Sequence, residues 1–186
     1  MKTQYYTATS LDGFIADSQN SLDWLFQFGK AEDGSYLNFI RKVGAIAMGS
    51  TTYEWILNHH INEGADHPQA WPYEQPTWVF TSRILPVVKG ADVRFVKGDV
   101  RSVHQEMMAV AGNRNVWLVG GGDLVGQFHD RGLLDEVIVS IASVTLGSGA
   151  PLLPRRITTP GLKLLSTRVY GDAFVELHYK VPRPRR

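Results

Sequence analysis

The most pointed chemistry in this chain lies in Asn115-Val-Trp-Leu-Val-Gly-Gly-Gly-Asp-Leu-Val-Gly-Gln-Phe-His129. An apolar run, Val116 to Val119, meets three consecutive glycines and passes at once into a helical spacing with Leu124, Val125 and Phe128 on one face. A strand that ends in glycine at a helix N-terminus leaves several backbone N–H groups unpaired and unshielded. The helix dipole adds partial positive charge at the same spot, so a phosphate can dock against bare backbone. One glycine is enough for a turn, and three are costly in conformational entropy. Gly120, Gly121 and Gly122, with Asp123 and Leu124 opening the helix, therefore read as a cradle for the pyrophosphate of a nucleotide cofactor. A tight strand–helix connection without a ligand is the plain alternative. The dinucleotide fingerprint Gly-x-Gly-x-x-Gly is not met, because its third glycine position is Val125. No Lys-Ser or Lys-Thr follows the glycines, which excludes a P-loop.

Bulk properties remove other chemistries. Cysteine is absent, so disulfides, thiolate metal sites and a cysteine nucleophile are ruled out. A net charge of +1 gives no support to nucleic-acid binding, and the only basic cluster, Arg183, Arg185 and Arg186, sits in a proline-containing tail. No apolar run approaches the ~20 residues that span a bilayer, and no secretory signal follows Met1, which makes the cytoplasm the expected location. His59, His60 and His67 share an irregular segment with Glu63 and Asp66, but their spacing matches no metal-ligand pattern, and no metal is expected. His104, His129 and His178 read as surface positions. No Gly-x-Ser-x-Gly elbow supports a serine nucleophile.

The elements that would position these residues follow from the hydrophobic spacing. Gln4 to Thr9 reads as a first strand, followed by the turn Ser10-Leu-Asp-Gly13. Glu32 to Val43 has a helical spacing that Gly44 ends, and Ala45 to Met48 is a short buried strand. Gly49-Ser-Thr-Thr52 begins a second helix, and Asn58 to Gln75 is an irregular surface loop. Trp78 to Thr81 and Val93 to Val96 are strands, Val100 to Ala111 is a helix, and Val116 to Val119 leads into the glycines. Glu136 to Ser143 is a long strand. Lys163 to Tyr170 and Phe174 to Val181 alternate and are joined by Gly171-Asp172, a hairpin signal. Alternating βα units thus give way to a strand-rich end, which predicts an α/β fold with a mostly parallel sheet. At 186 residues, with no repeat or linker, residues 1–186 are expected to form one domain.

Five segments in this order resemble the dihydrofolate reductase-like superfamily, and within it the reductase domain of the bifunctional riboflavin-biosynthesis deaminase/reductase. They are Ser10-Leu-Asp-Gly-Phe-Ile-Ala16, Met48-Gly-Ser-Thr-Thr-Tyr-Glu54, Thr81-Ser-Arg83, Val119-Gly-Gly-Gly122 and Leu146-Gly-Ser-Gly-Ala-Pro-Leu-Leu153. The resemblance implies a three-layer α/β/α fold, a mostly parallel central sheet with an antiparallel C-terminal hairpin, and a homodimer. It also implies a nicotinamide cofactor across the C-terminal ends of the parallel strands. Gly120 to Gly122 would hold its pyrophosphate. Gly49, Ser50, Thr51 and Thr52 would add phosphate donors, and Thr81, Ser82 and Arg83 would surround the adenosine 2′-phosphate. Hydroxyls, backbone N–H groups and an arginine fork suit those roles, although Ser50 and Thr51 equally suit helix capping. Dihydrofolate reductases carry Arg where this chain has Ser50. Arg83 is the expected substitute; the expected cofactor is NADPH, with NADH as the alternative.

In this class the cofactor delivers hydride to a C=N or C=O carbon, and a carboxyl in a dry pocket donates or relays a proton. Counting back from Met48-Gly49, Asp33 falls where dihydrofolate reductases carry their active-site carboxylate, with Glu32 adjacent; both also suit a helix start. Asp12 is a further candidate, with turn formation as its main role. Trp24 and Phe28 could wall a flat heterocycle or belong to a local core. The implied activity is reduction of a small nitrogen heterocycle, first a riboflavin-precursor aminopyrimidine of the 5-amino-6-(5-phosphoribosylamino)uracil type. A pterin, another carbonyl or imine, or a non-catalytic nucleotide-binding module are the alternatives. A chain without cysteine cannot hold the zinc of the deaminase half.

Overall fold

The computed structural model describes residues 1–29, 35–61 and 69–182. In chain order its elements are β1 (Thr3–Thr9), β2 (Phe14–Ala16), α1 (Asp23–Phe26), α2 (Ser35–Ile40), β3 (Val43–Gly49) and α3 (Ser50–Ile56). They continue with β4 (Thr77–Phe80), β5 (Val93–Val96), α4 (Val100–Ala111), β6 (Asn115–Gly120), α5 (Gly122–Asp130), β7 (Glu136–Ala142), β8 (Ala150–Pro151), β9 (Lys163–Tyr170) and β10 (Phe174–Lys180). The main sheet has the order β5-β4-β3-β6-β1-β7-β10-β9. Its first six strands run parallel, and β10 is antiparallel to both β7 and β9. Among the described residues no helix is long and apolar enough to cross a membrane.

Helices cover both faces of the parallel part, which is why its strands are apolar runs rather than alternations. Along β3, Ala45 and Ala47 face one core while Val43, Ile46 and Met48 face the other. The first core takes Val103 and Met107 of α4 and Val125 and Phe128 of α5 against Trp78, Val116 and Leu118. The second takes Tyr53 and Ile56 of α3 against Val79 and Trp117. This is the expected three-layer α/β/α arrangement, with the expected antiparallel hairpin at its C-terminal end.

Three local readings change. The helix expected to reach Val43 ends at Ile40 among the described residues, and Gly44 lies inside β3 rather than closing a helix. A Cβ at Gly44 would stand 2.7 Å from the Ala111 carbonyl oxygen, so glycine here lets the end of α4 rest on the strand. The segment after α3 is not all loop: Leu57–Ile61 continues it as a π-helical turn, with Ile61 buried in the second core. His104 is only 9% exposed, and its Nε2 lies 2.8 Å from the Thr3 hydroxyl. It falls on the buried stripe of α4 with Val100, Val103, Met107 and Ala111, and desolvation holds its imidazole below the usual histidine range.

A buried polar cluster ties the strands together at the edge where β1, β6 and β7 begin. The Glu136 carboxylate accepts hydrogen bonds from Lys2 Nζ and, at 2.7 Å, from Gln4 Nε2, with His178 Nε2 at 3.1 Å. Asn115 Nδ2 in turn donates to Gln4 Oε1 at 3.0 Å. Burial alone would push the Glu136 carboxyl up, but these partners outweigh it and hold the group below the usual glutamate range. A carboxyl depressed in the folded state contributes stability above its unfolded pKa, about 4.3, and loses it as pH falls through the folded value. Thermal melts across acidic pH should therefore show a destabilising acid limb below about pH 4.3 that is shallower in Glu136→Gln. Equal slopes in the two proteins would contradict this role for Glu136.

Candidate active site

The geometry that makes a site possible begins with two neighbouring strands. β3 and β6 pair in parallel, with Met48 opposite Gly120. α3 leaves β3 toward one face of the sheet, and α5 leaves β6 toward the other. Where adjacent parallel strands send their chains to opposite faces, a crevice opens at their C-terminal ends. Here it is a cleft of about 630 Å³.

Each glycine of the cradle has its own reason. Gly120 has φ +147°, a conformation that side chains rarely adopt. At Gly121 a Cβ would meet nothing within 4 Å, so this residue presents bare backbone to open space. At Gly122 a Cβ would stand 2.3 Å from the Pro151 carbonyl oxygen, because the chain around β8 lies across the start of α5. Gly49 faces the same turn: its Cβ would lie 3.7 Å from the Gly121 nitrogen. The first N–H groups of α5 have no partner within the helix, and they open beside Gly121.

Across the strand ends the lining changes character. Near β1 it consists of Thr7, Ile15, Ala16, Asn20 and Leu22, with Trp55 on α3. The middle is Gly49 to Thr52 and Gly120 to Leu124; the far end is Thr81, Ser82, Lys97 and Gly98. Ten of the expected residues are thus brought into one cleft: Gly49, Ser50, Thr51, Thr52, Thr81, Ser82, Gly120, Gly121, Gly122 and Leu124. Asp123 also lines it, but both its carboxylate oxygens are engaged, one by Arg155 and one by Gln127.

Other expected residues are placed elsewhere. The Arg83 guanidinium forms a bidentate pair with Glu54, at 2.9 and 2.6 Å, and does not line the cleft. Asp12 braces a loop: its carboxylate accepts from the Ser10 hydroxyl at 2.6 Å and from the N–H groups of Leu146 and Gly147. Those hydrogen bonds, that of Ser10 foremost, hold it below the usual carboxylate range. A carboxylate so engaged is suited to fixing the loop rather than to giving up a proton. Phe28 packs edge-on against Phe174 at 5.1 Å, and neither it nor Trp24 lines the cleft. The aromatic wall is Trp55, stacked between Phe26 and His59. Asp33 and Glu32 lie outside the described residues.

Lys97 is a cleft residue that sequence reasoning passed over. It is exposed, and it is the one cationic side chain lining the cleft among the described residues. The signal was available, since Lys97-Gly98 directly follows the strand Val93–Val96, where a parallel sheet presents its ligand edge. Trp55 was hidden because a helix-borne aromatic reads as core.

Residues 58–175 match the RibD C-terminal domain. The uncharacterized protein YwjB of Bacillus subtilis (strain 168) is 34% identical over 179 residues, 96% of this chain and 97% of that protein. The chain belongs to the RibD C-terminal domain family. Among solved structures, a Shewanella sp. PV-4 protein that carries a riboflavin-biosynthesis name covers all of this chain and is itself fully covered, with 26% identity and a TM-score of 0.77. The dihydrofolate reductase of Enterococcus faecalis, solved with NADP(H), is 13% identical, with a TM-score of 0.61 over 99% of this chain and 97% of that one. At that identity the likeness is one of fold: this member of the RibD C-terminal domain family has a dihydrofolate reductase-like fold.

Proposed function

We propose that this protein is an NAD(P)H-dependent reductase that transfers hydride to a small, flat nitrogen heterocycle. The observation that carries the proposal is the pair of facing glycine turns at the ends of β3 and β6, which leaves bare backbone open to a pyrophosphate. Family membership and the NADP(H) complex of the similarly folded dihydrofolate reductase support the same reading. The cleft residues fit a dinucleotide: bare N–H groups in the middle, hydroxyls and a lysine at one end, and an apolar wall at the other.

In this reading Gly121, Gly122 and Gly49 receive the pyrophosphate, while Ser50, Thr81, Ser82 and Lys97 receive the adenosine end with its 2′-phosphate. Lys97 takes the part expected of Arg83, whose guanidinium is committed to Glu54. The bound nicotinamide supplies the hydride. Thr7, Ile15 and Trp55 then orient the heterocycle and exclude water beside it. Asp33, with Glu32 next to it, is the proposed proton source. The riboflavin-biosynthesis name of the Shewanella relative favours an aminopyrimidine precursor of riboflavin as substrate; the cytoplasm is the proposed location.

Titration of the purified protein with NADPH and NADH, followed by turnover on a panel of aminopyrimidines and pterins, tests the proposal. Gly121→Val should fold normally and lose binding of both cofactors, because its side chain would fill the open cradle. Lys97→Gln should weaken NADPH by about tenfold or more, the worth of a charge-assisted hydrogen bond, while NADH changes little. Unchanged NADPH affinity in folded Gly121→Val would remove the site. Cofactor binding with no oxidation by any heterocycle would leave a nucleotide-binding module in place of a reductase.

We further propose a homodimer formed through the C-terminal hairpin. β9 is one of the two edge strands of the main sheet, and Leu164, Leu165 and Val169 on it are exposed. Light scattering at micromolar concentration should give twice the 20.8 kDa chain mass; a monomer would refute the pairing.

A further inference from the structure

An acid stands where the proposed cofactor is most negative. Asp123 opens α5 directly after the glycines, lines the cleft, and has a side chain 72% exposed. A carboxylate in the first helical turn suits the helix dipole. Beside a pyrophosphate, however, it would be a like charge, screened by solvent only in part.

Arg155 answers that charge. Its two terminal nitrogens each lie 3.2 Å from Asp123 Oδ1, and its Nε donates to Asp130 Oδ2 at 2.8 Å. Gln127 Nε2 donates to the other Asp123 oxygen at 3.1 Å. The helix makes room for the guanidinium: a Cβ at Gly126 would stand 2.5 Å from Arg155 Cζ. The arginine side chain is consequently only 23% exposed, although it pairs with surface carboxylates.

The same arginine ends a strap, residues 150–155, that touches both halves of the cleft. At one side the strap lies on Gly122, whose Cβ would meet the carbonyl oxygens of Pro151 and Leu152. At the other it pairs with β2, and Leu152 donates its N–H to the Gly13 carbonyl at 2.9 Å. Pro151 and Pro154 line the cleft between these contacts.

We propose that Arg155 is a positioning residue for nucleotide binding: it draws the charge of Asp123 away from the glycine turn and clamps the strap over the start of α5. The proposal rests on the reading of Gly120 to Gly122 as the pyrophosphate site. A residue that merely held the strap would show no dependence on the charge at position 123. A charge-compensating one must show it.

The test is a double-mutant cycle read as NADPH affinity by calorimetry at low and high salt. Arg155→Gln should weaken NADPH by about fivefold at low salt, an effect of the size expected for partly exposed charges, and less at high salt. Asp123→Asn alone should tighten binding a few-fold, since it removes the like charge beside the phosphates. Adding Asp123→Asn to Arg155→Gln should restore affinity to near the wild-type value. If Arg155→Gln does not fold, Arg155→Lys carries the test, because a point charge cannot fork between two carboxylates. Binding should then be weaker in Arg155→Lys and recover on adding Asp123→Asn. Normal affinity in the single arginine variants, or no recovery in the doubles, would overturn the role of Arg155 while leaving the cofactor site standing. A wild-type protein that binds neither NADPH nor NADH would overturn both.

Discussion

The close approach of two bare backbone turns at the ends of β3 and β6 is the constraint on which the cleft depends. Gly49 and Gly121 sit side by side because their strands are neighbours in one parallel sheet, and a side chain at Gly121 would project into the space between them and solvent. Since α3 and α5 depart to opposite faces, a crevice opens between them at the strand ends. Backbone N–H groups are rigid, permanently polarised and already desolvated on one side, which makes them good anion donors where lysine or arginine would need ordering.

The rest of the molecule holds that junction still. Both faces of the parallel strands are buried, so β3 and β6 cannot slide without disturbing two cores at once. At the opposite ends of the strands the Glu136 cluster joins β1, β6, β7 and β10 through side chains rather than through the ladder alone. At the cleft end the Asp12 carboxylate and the β2–β8 pairing fix the loop after β1 to the segment that crosses α5. The cleft is thus framed by elements distant in sequence, and its apolar and polar ends are set by which strand each loop follows.

Much of this was legible in the chain. Val100 to Ala111 was readable as a helix to the residue from its apolar spacing, and in the structure Asp99 caps it, its side chain accepting from the Arg101 N–H. The glycine turn was readable because three glycines between a strand and a helix exceed what a turn requires. Other features were misread for physical reasons. Gly44 resembles a helix stop, yet it is glycine because α4 needs the room. The ladder between β2 and β8 is too short to leave an alternation. Arg83 looked free for a phosphate because its partner, Glu54, is 29 residues away on another element. His104 was taken for a surface residue although its position falls on the buried stripe of its own helix.

A crystal structure of the protein grown with NADPH would test the central claim most directly. The dinucleotide should lie across the ends of β1, β6, β3, β4 and β5. Its pyrophosphate should accept hydrogen bonds from the N–H groups at the start of α5, with the nicotinamide beside Thr7 and Ile15 and the 2′-phosphate near Lys97. A nucleotide bound elsewhere, or an empty cleft in crystals holding millimolar NADPH, would contradict the reading of the glycine turns as a cofactor cradle.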